Sequence, residues 1–326
     1  MNPSAPRRFE LLGLGECMVE LFAEGPLSTS PLLRRAYGGD VLNAPVTASR
    51  LGVRCGFISR VGDDPFGPAL RQAWVDEGID LSQAPLVPGD NGEYFISVSD
   101  DGEREFTYRR AGSAASQIGH DDIDEAQIAS SHWLLLSGIT QALSPSARAA
   151  TRAAARLARQ HGVQVAYDPN YRPRLRASQG GLPAARAALH ELAPLTDRPL
   201  PSPPADAVLL IDAPPEGVPD ILPAAHEPAG QLAALGPSVA LKLGAAGCLI
   251  HSAGEGQHVP GVTAAHVLDS TGAGDLWNGS FIAGLLQGRG AVAAAQTAHR
   301  LAAAKLAHRG AIAPRSMYPL PAAEAQ

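Results

Sequence analysis

The chain has 326 residues, of which 45% are hydrophobic, enough for one large α/β domain or two small ones. Its formal net charge of −6 argues against a nucleic-acid-binding surface. The three cysteines lie far apart without CxxC spacing, which argues against a disulfide framework or a structural zinc site and favours a reducing compartment. No signal peptide or apolar run of membrane-spanning length is apparent, so we expect a cytoplasmic protein without membrane contact.

The first part of the chain predicts alternating strands and helices. Residues 9–22 alternate apolar and small side chains and predict a first strand. Gly38 and Gly39 predict a tight turn, with Asp40 as the N-cap of a helix that ends at Gly52. A strand over 55–61 and a helix over 66–78 follow.

Residues 93–110 predict a β-hairpin. Two alternating strands, 94–98 and 105–108, flank the sequence Asp100-Asp101-Gly102-Glu103, and Asp-Gly is typical of a tight hairpin turn. One face of such a hairpin could cover a cleft. The following pair, Arg109 and Arg110, would ordinarily be solvated, but guanidinium groups also bind carboxylates with two parallel hydrogen bonds.

The second part continues with strands at 132–137, 163–167 and 239–243 and with helices at 144–161 and 291–308. The strand at 163–167 ends in Asp168-Pro169-Asn170-Tyr171-Arg172, and loops at strand ends carry ligands in open parallel sheets. Prolines are dense between residues 194 and 237, which predicts loops around one strand at 207–211.

The segment Asp269-Ser270-Thr271-Gly272-Ala273-Gly274-Asp275 predicts a glycine turn that leads into a helix with an apolar face. The N–H groups at a helix N-terminus lack intrahelical partners, and the helix dipole adds positive potential, so the turn suits a phosphate. Asp275 could accept a proton from a hydroxyl beside that phosphate. An acidic first turn that merely complements the dipole is the alternative.

The same segment, followed by Trp277-Asn278-Gly279, resembles the C-terminal signature of the ribokinase-like (PfkB) family of sugar kinases. Residues 38–43 and the Ala-Ser-Arg-Leu-Gly that follows resemble the N-terminal signature of that family. The resemblance spans about 9–315. It implies one α/β domain with a mostly parallel central sheet, helices on both faces and a small β-lid.

The resemblance also implies lid segments at about 17–37 and 93–112 and flexible termini at 1–8 and 316–326. In this family the lid often forms the contact between subunits, which implies a homo-oligomer.

Three further segments are similar to 2-keto-3-deoxygluconate kinases: Tyr108-Arg109-Arg110-Ala111-Gly112-Ser113-Ala114, Leu136-Ser137-Gly138-Ile139-Thr140, and the stretch from Ala298 to Ile312. This similarity implies that ATP, with Mg²⁺, phosphorylates the sugar acid 2-dehydro-3-deoxy-D-gluconate at its C6 hydroxyl. Another sugar kinase, acting on ribose, fructose or a modified gluconate, is one alternative. A homologue that binds a sugar acid without phosphorylating it is the other.

The family resemblance implies a role for each matching residue. Asp275 would be the catalytic base, and the N–H groups of Gly272, Ala273 and Gly274 would form the anion hole. The substrate would contact Gly38, Gly39, Asn43, Tyr94, Tyr108, Arg110, Ile139, Arg172 and Asp275. The nucleotide would contact Asn170, Arg172, Lys242, Gly244, Gly247, Gly272 and Gly274.

One departure from the family concerns the metal. The family usually has Asn/Ser-x-x-Glu where this chain has Ser202-Pro203-Pro204-Ala205, so the glutamate that helps to organise Mg²⁺ is missing. The adjacent Asp206 is a candidate substitute, and the metal ligands are otherwise unassigned.

Overall fold

The computed structural model describes residues 7–99, 104–177, 179–203, 205–210, 230, 238–252 and 254–319. Its strands are β1 Phe9–Leu14, β2 Met18–Phe22, β3 Arg34–Gly38, β4 Cys55–Ile58, β5 Val61–Gly62, β6 Ile79–Asp80, β7 Leu86–Val87, β8 Gly92–Val98, β9 Arg104–Arg109, β10 Ser131–Ser137, β11 Gln164–Asp168, β12 Arg198–Pro199, β13 Ser238–Lys242, β14 Cys248–Ser252 and β15 Glu255–Val259. Its helices are α1 Asn43–Arg50, α2 Gly67–Asp76, α3 Glu125–Ala129, α4 Gly138–Leu143, α5 Pro145–Gln160, α6 Pro173–Ala177, α7 Gly181–Leu192, α8 Ala273–Leu286 and α9 Ala291–Lys305.

The central sheet has six parallel strands in the order β12-β11-β10-β1-β4-β6. Neighbouring residues of β10 point to opposite faces, so Leu135 packs towards α1, α8 and α9, whereas Leu134 packs towards α5 and α7. Helices therefore cover both faces, which explains why the inner strands are almost wholly apolar. This architecture confirms the predicted fold class.

Besides the two-stranded parallel pair of β5 and β7, two larger sheets accompany the central one in the described part of the chain. Strands β13, β14 and β15 form an antiparallel sheet, and the backbone N–H of Lys242 donates to Pro201 O at 2.8 Å, next to β12. Strands β3-β2-β8-β9 form a separate small sheet with its own apolar cluster around Met18, Phe22 and Ile96. The strands of this small sheet fall within the two predicted lid segments. The predicted turn at 100–103 lies outside the described residues.

Several predicted boundaries were wrong. Residues 9–22 form two strands in different sheets, because the chain leaves the central sheet at Gly15, where a Cβ would lie 2.8 Å from Val41 Cγ2. Asp40 is not an N-cap, since α1 begins at Asn43 and has no side-chain cap. Residues 207–209 form a 3₁₀ helix where a strand was predicted, and position 211 lies outside the described residues.

The ends of the described chain are also packed. Tyr318, assigned by the sequence to a flexible terminus, is buried, and its hydroxyl lies 3.3 Å from Thr47 Oγ1. At the N-terminal end of the described chain, Arg7 Nη1 donates a hydrogen bond to Ser131 O at 2.5 Å. In the part of the chain that the structure describes, no helix is both long enough and apolar enough to cross a bilayer.

Helix α8 is buried on all sides from Leu276 to Gly284, rather than along one apolar face as expected. It lies directly against α1. Gly279 makes this approach possible, because a Cβ at that position would lie 2.2 Å from Ala44 O. The N-termini of α1 and α8 therefore sit side by side at one end of the central sheet.

Candidate active site

A cleft of about 1130 Å³ lies between the small sheet and the carboxyl ends of β1, β10 and β11. Each of these strands delivers a side chain to it: Glu16 follows β1, Ile139 follows β10, and Asp168 ends β11. Ligands in open α/β sheets bind at this edge. The cleft is therefore the candidate active site.

The structure brings most of the predicted site residues together in this cleft. Those that line it are Gly38, Gly39, Asn43, Tyr94, Tyr108, Arg110, Ile139, Asn170, Arg172, Lys242, Gly272, Gly274 and Asp275. Ala273 is the first residue of α8, within the glycine turn. Gly244 and Gly247 are not among the lining residues. Gly247 instead has a φ of 102° and packs so closely on Val259 O that a Cβ would lie 2.1 Å away.

The glycine turn 269–275 is held from several directions. Gly272 adopts the left-handed conformation with φ 73°, and a Cβ there would lie 2.4 Å from Ala311 O. The Asp269 carboxylate accepts the N–H groups of Thr271 at 2.9 Å and Gly310 at 2.8 Å. The turn thus presents the N-terminus of α8 to the cleft, as anion binding requires.

Asp275 lies in the first turn of α8, partly buried. Its Oδ2 accepts Asn43 Nδ2 at 2.8 Å, and Asn43 Oδ1 in turn accepts the N–H of Gly39 at 3.1 Å. Burial raises the pKa of Asp275 to about 7; the Asn43 hydrogen bond opposes this, and the charge of Asp168 adds to it. A carboxylate with a pKa near neutrality is suited to general-base chemistry.

A buried polar triad lies deeper in the cleft. Lys242 Nζ lies 2.7 Å from Asp168 Oδ2 and 2.9 Å from Asn278 Oδ1, while Asn278 Nδ2 donates to Asp168 Oδ2 at 2.6 Å. These contacts join β13, β11 and α8. Lys242, predicted to contact the nucleotide, therefore has its ammonium group paired with Asp168, and its nucleotide contact stays a prediction.

The small sheet supplies the opposite wall. The rings of Tyr94 and Tyr108 stack with centroids 5.9 Å apart, and the Arg110 guanidinium lies 4.6 Å from the Tyr108 ring centre. Arg110 Nη1 also lies 2.5 Å from Glu16 Oε1. The Tyr94 hydroxyl donates to the carboxylate of buried Glu20.

Sequence reasoning missed Glu16 and gave Asp40 only a capping role. Glu16 is fully buried, and burial raises its pKa to about 7 although Arg110 lowers it. Each of these two carboxylates has one buried oxygen without a hydrogen-bond partner. No local signal marked Glu16, because the strand predicted over 9–22 runs through it, whereas β1 ends at Leu14.

Asp206 also lies in the cleft, beside the position of the missing family glutamate. It accepts the N–H groups of Tyr171 and Ser202, both at 2.7 Å. Burial and the charge of Asp168 raise its pKa to about 6. Within the described ranges no group of three or more acidic, histidine or cysteine side chains is arranged to hold a metal ion.

Comparison with known proteins shows that the chain matches a protein family. The model of the pfkB family of carbohydrate kinases matches residues 10–317. The chain belongs to the pfkB family of carbohydrate kinases. It is therefore a kinase, and the predicted family resemblance is confirmed.

Two curated relatives that share one name match most of the chain. The 2-dehydro-3-deoxygluconokinase of Escherichia coli (strain K12) is 31% identical, covering 94% of this chain and 97% of the relative. The enzyme of the same name from Thermoproteus tenax is 33% identical over 87% of this chain and 84% of its own.

A candidate ribokinase II of Escherichia coli, solved in complex with ATP and Mg²⁺, is 26% identical. It superimposes with a TM-score of 0.81 over 93% of this chain and 94% of its own. The ribokinase-like fold predicted from the sequence is therefore confirmed.

Proposed function

We propose that this pfkB kinase transfers the γ-phosphoryl group of ATP to the C6 hydroxyl of 2-dehydro-3-deoxy-D-gluconate. The observation that carries the proposal is the position of Asp275. It combines a pKa near 7 with a place at the N-terminus of α8, in the same cleft as Tyr108 and Arg110. The names of the two relatives support the choice of substrate.

The proposed chemistry follows from this arrangement. The small sheet and Asn43 would hold the sugar so that its C6 hydroxyl faces Asp275, which is the contribution of proximity. As the oxygen forms its bond to the γ-phosphorus, the hydroxyl proton passes to Asp275 and the bond to ADP breaks. The N–H groups of Gly272 and Gly274 would stabilise the charge on the transferring group, as phosphoryl transfer mainly requires. The N–H of Ala273, expected to join them, donates to Ser270 O at 3.1 Å.

The nucleotide would lie between the N-terminus of α8 and the loop after β11, with Asn170 and Arg172 near its phosphates. Magnesium, when bound, would neutralise phosphate charge. Mg²⁺ is commonly held by one or two carboxylates together with substrate phosphates. Asp206 and Asp168 fit this description, because both carboxylates line the cleft. Burial and the charge of Asp168 raise the pKa of Asp206, and a bound cation would oppose both effects. We infer that Asp206 serves in place of the missing family glutamate.

One observation favours a second candidate, a pfkB kinase for a neutral sugar such as ribose or fructose. Arg110, the proposed partner of the substrate carboxylate, is already paired with Glu16, and Asp40 adds further negative charge nearby. A negatively charged substrate would have to share that guanidinium. A neutral sugar would need only hydrogen-bond acceptors, which Glu16 and Asp40 provide.

A coupled assay of ADP formation with a panel of sugars tests the proposal. We expect kcat/KM for 2-dehydro-3-deoxy-D-gluconate to exceed that for ribose and fructose by at least about 100-fold, because a site built to pair with a carboxylate rejects sugars that lack one. Arg110→Leu should remove this preference. A higher kcat/KM for a neutral sugar would select the second candidate. Binding of the sugar acid without ADP release would indicate a non-catalytic homologue.

The oligomeric state is a separate proposal. Along β9 the exposed side chains of Glu105 and Arg109 alternate with the cleft-facing Tyr108, so they lie on the outer side of the small sheet. We infer that this sheet forms the contact of a homodimer. Light scattering coupled to size-exclusion chromatography tests the inference, and a monomer at micromolar concentration would contradict it.

A further inference from the structure

Arg104 links the small sheet to the turn that precedes α8. It is the first residue of β9, and its Nη2 donates to Leu268 O at 2.7 Å. Its Nη1 pairs with the carboxylate of Asp269. One guanidinium therefore connects the small sheet, which would hold the sugar, with the start of the anion-binding turn. Because it donates to two acceptors, its orientation is fixed.

Asp269 connects Arg104 to the rest of the turn. Its side chain is 3% exposed, and its carboxylate also accepts the N–H groups of Thr271 and Gly310. Its backbone carbonyl accepts Nζ of the fully buried Lys305 at 2.9 Å. The position of Asp269 therefore sets the start of the turn whose N–H groups follow at 272–274.

We propose that Arg104 is a positioning residue for phosphoryl transfer, which holds the anion-binding turn in its active geometry from the small sheet. Strand β9 also carries Tyr108, so docking of a sugar on this strand and alignment of the turn share one rigid element. The expected effect of Arg104 on kcat rests on the proposed function, whereas its expected effect on the rigidity of the turn does not.

The structure also shows why removal of Arg104 should leave the protein folded. Asp269 would keep two N–H donors and the nearby ammonium of Lys305, so its buried charge would still be compensated. The Arg104 side chain itself is 24% exposed. A matched control exists in Arg34 on β3 of the same sheet, whose pair with Glu24 is exposed on both sides at 3.0 Å.

The first test needs no substrate. Hydrogen–deuterium exchange is measured on the wild type, Arg104→Gln and Arg34→Gln. The probes are the hydrogen-bonded amides of Thr271, Ala273 and Leu276. We expect these amides to exchange at least about tenfold faster in Arg104→Gln alone, with unchanged exchange in the central sheet. Equal exchange in all three proteins would overturn the proposal.

The second test is kinetic. With the sugar that the wild type phosphorylates, Arg104→Gln should lower kcat about 10–100-fold while the KM for ATP changes less than about threefold, because geometry rather than ground-state binding is lost. Arg104→Lys, which keeps the charge but lacks the planar fork that reaches both Asp269 and Leu268 O, should recover part of kcat. An unchanged kcat would refute the positioning role. A wild type without turnover on any sugar would instead refute the proposed function and leave the exchange test decisive.

Discussion

Replacement of Asp275 by asparagine distinguishes the effect of this side chain on the catalytic rate from its effect on the stability of the fold. The amide has nearly the size of the carboxylate and can still accept the hydrogen bond from Asn43, so the cleft should keep its shape. It cannot take the proton of an attacking hydroxyl. Removal of a general base typically lowers rates by about 10²–10⁴-fold, equivalent to roughly 2.7–5.4 kcal/mol of barrier.

The same substitution should stabilise the fold at alkaline pH. Asp275 has an ordinary pKa of 3.8 and a folded pKa of about 7. Between about pH 4 and pH 7 the native state therefore holds a proton that the unfolded chain has lost, so stability falls as the pH rises through this window. Above pH 7 the whole cost is present, at most about 4 kcal/mol for a shift of this size. Asparagine removes that cost.

Two measurements check this reasoning on one pair of proteins. The coupled ADP assay at saturating substrates gives kcat, and urea denaturation at pH 5 and pH 8 gives the free energy of unfolding. The control is Asp121→Asn at an exposed position, which should change neither. Asp275→Asn with kcat within twofold of the wild type would refute the role of Asp275 as base. A variant less stable than the wild type at pH 8 would refute the argument about its buried charge.

Four other outcomes are expected. The kcat/KM of the wild type should rise with pH through about 7, because the proton acceptor Asp275 must be ionised in the free enzyme; a flat profile from pH 6 to pH 8 would contradict this. Asp206→Asn should raise the Mg²⁺ concentration needed for half-maximal velocity at least about threefold, measured by metal titration; an unchanged requirement would exclude Asp206 from metal handling. Gly272→Ala should lower kcat at least about tenfold in the ADP assay, since φ is 73° and Ala311 O leaves no room for a Cβ; wild-type activity would show that the turn tolerates the change. Trp74→Ala should cost about 3–5 kcal/mol in urea denaturation, because Trp74 is 1% exposed and packs edge-to-face on Phe57; a cost below 1 kcal/mol would contradict its place in the core.

The sequence predicted the two signature segments well. Asn43 and Asp275 are 232 residues apart, yet they meet at 2.8 Å, as the family resemblance implied by placing both in one site. Glycine turns and helix starts can be recognised locally, because their backbone requirements restrict the residue types. The four inner strands of the central sheet were also predictable, since they are buried on both faces and therefore continuously apolar, whereas the two-residue edge strands β6 and β12 were not.

Pairing among charged residues could not be predicted in this way. The pattern around Glu16 continues the alternation of β1, so nothing local shows that the chain changes sheets there and brings Glu16 to Arg110. Lys242 likewise follows an apolar strand, and only the tertiary fold brings Asp168 within 2.7 Å of its ammonium group. The 3₁₀ helix at 207–209 follows Asp206, whose carboxylate accepts the N–H of Ser202 in the same segment and the N–H of Tyr171, 35 residues earlier. The second of these contacts is set by the tertiary fold and leaves no local pattern.

The close contact between Gly279 and Ala44 has a consequence for how this enzyme can change. Two helices whose backbones touch cannot slide past each other without a clash, so Asp275 and its partner Asn43 are held together in one rigid block. New sugar preferences should then arise through replacements in the four-stranded sheet opposite, where side chains can vary while that block stays intact.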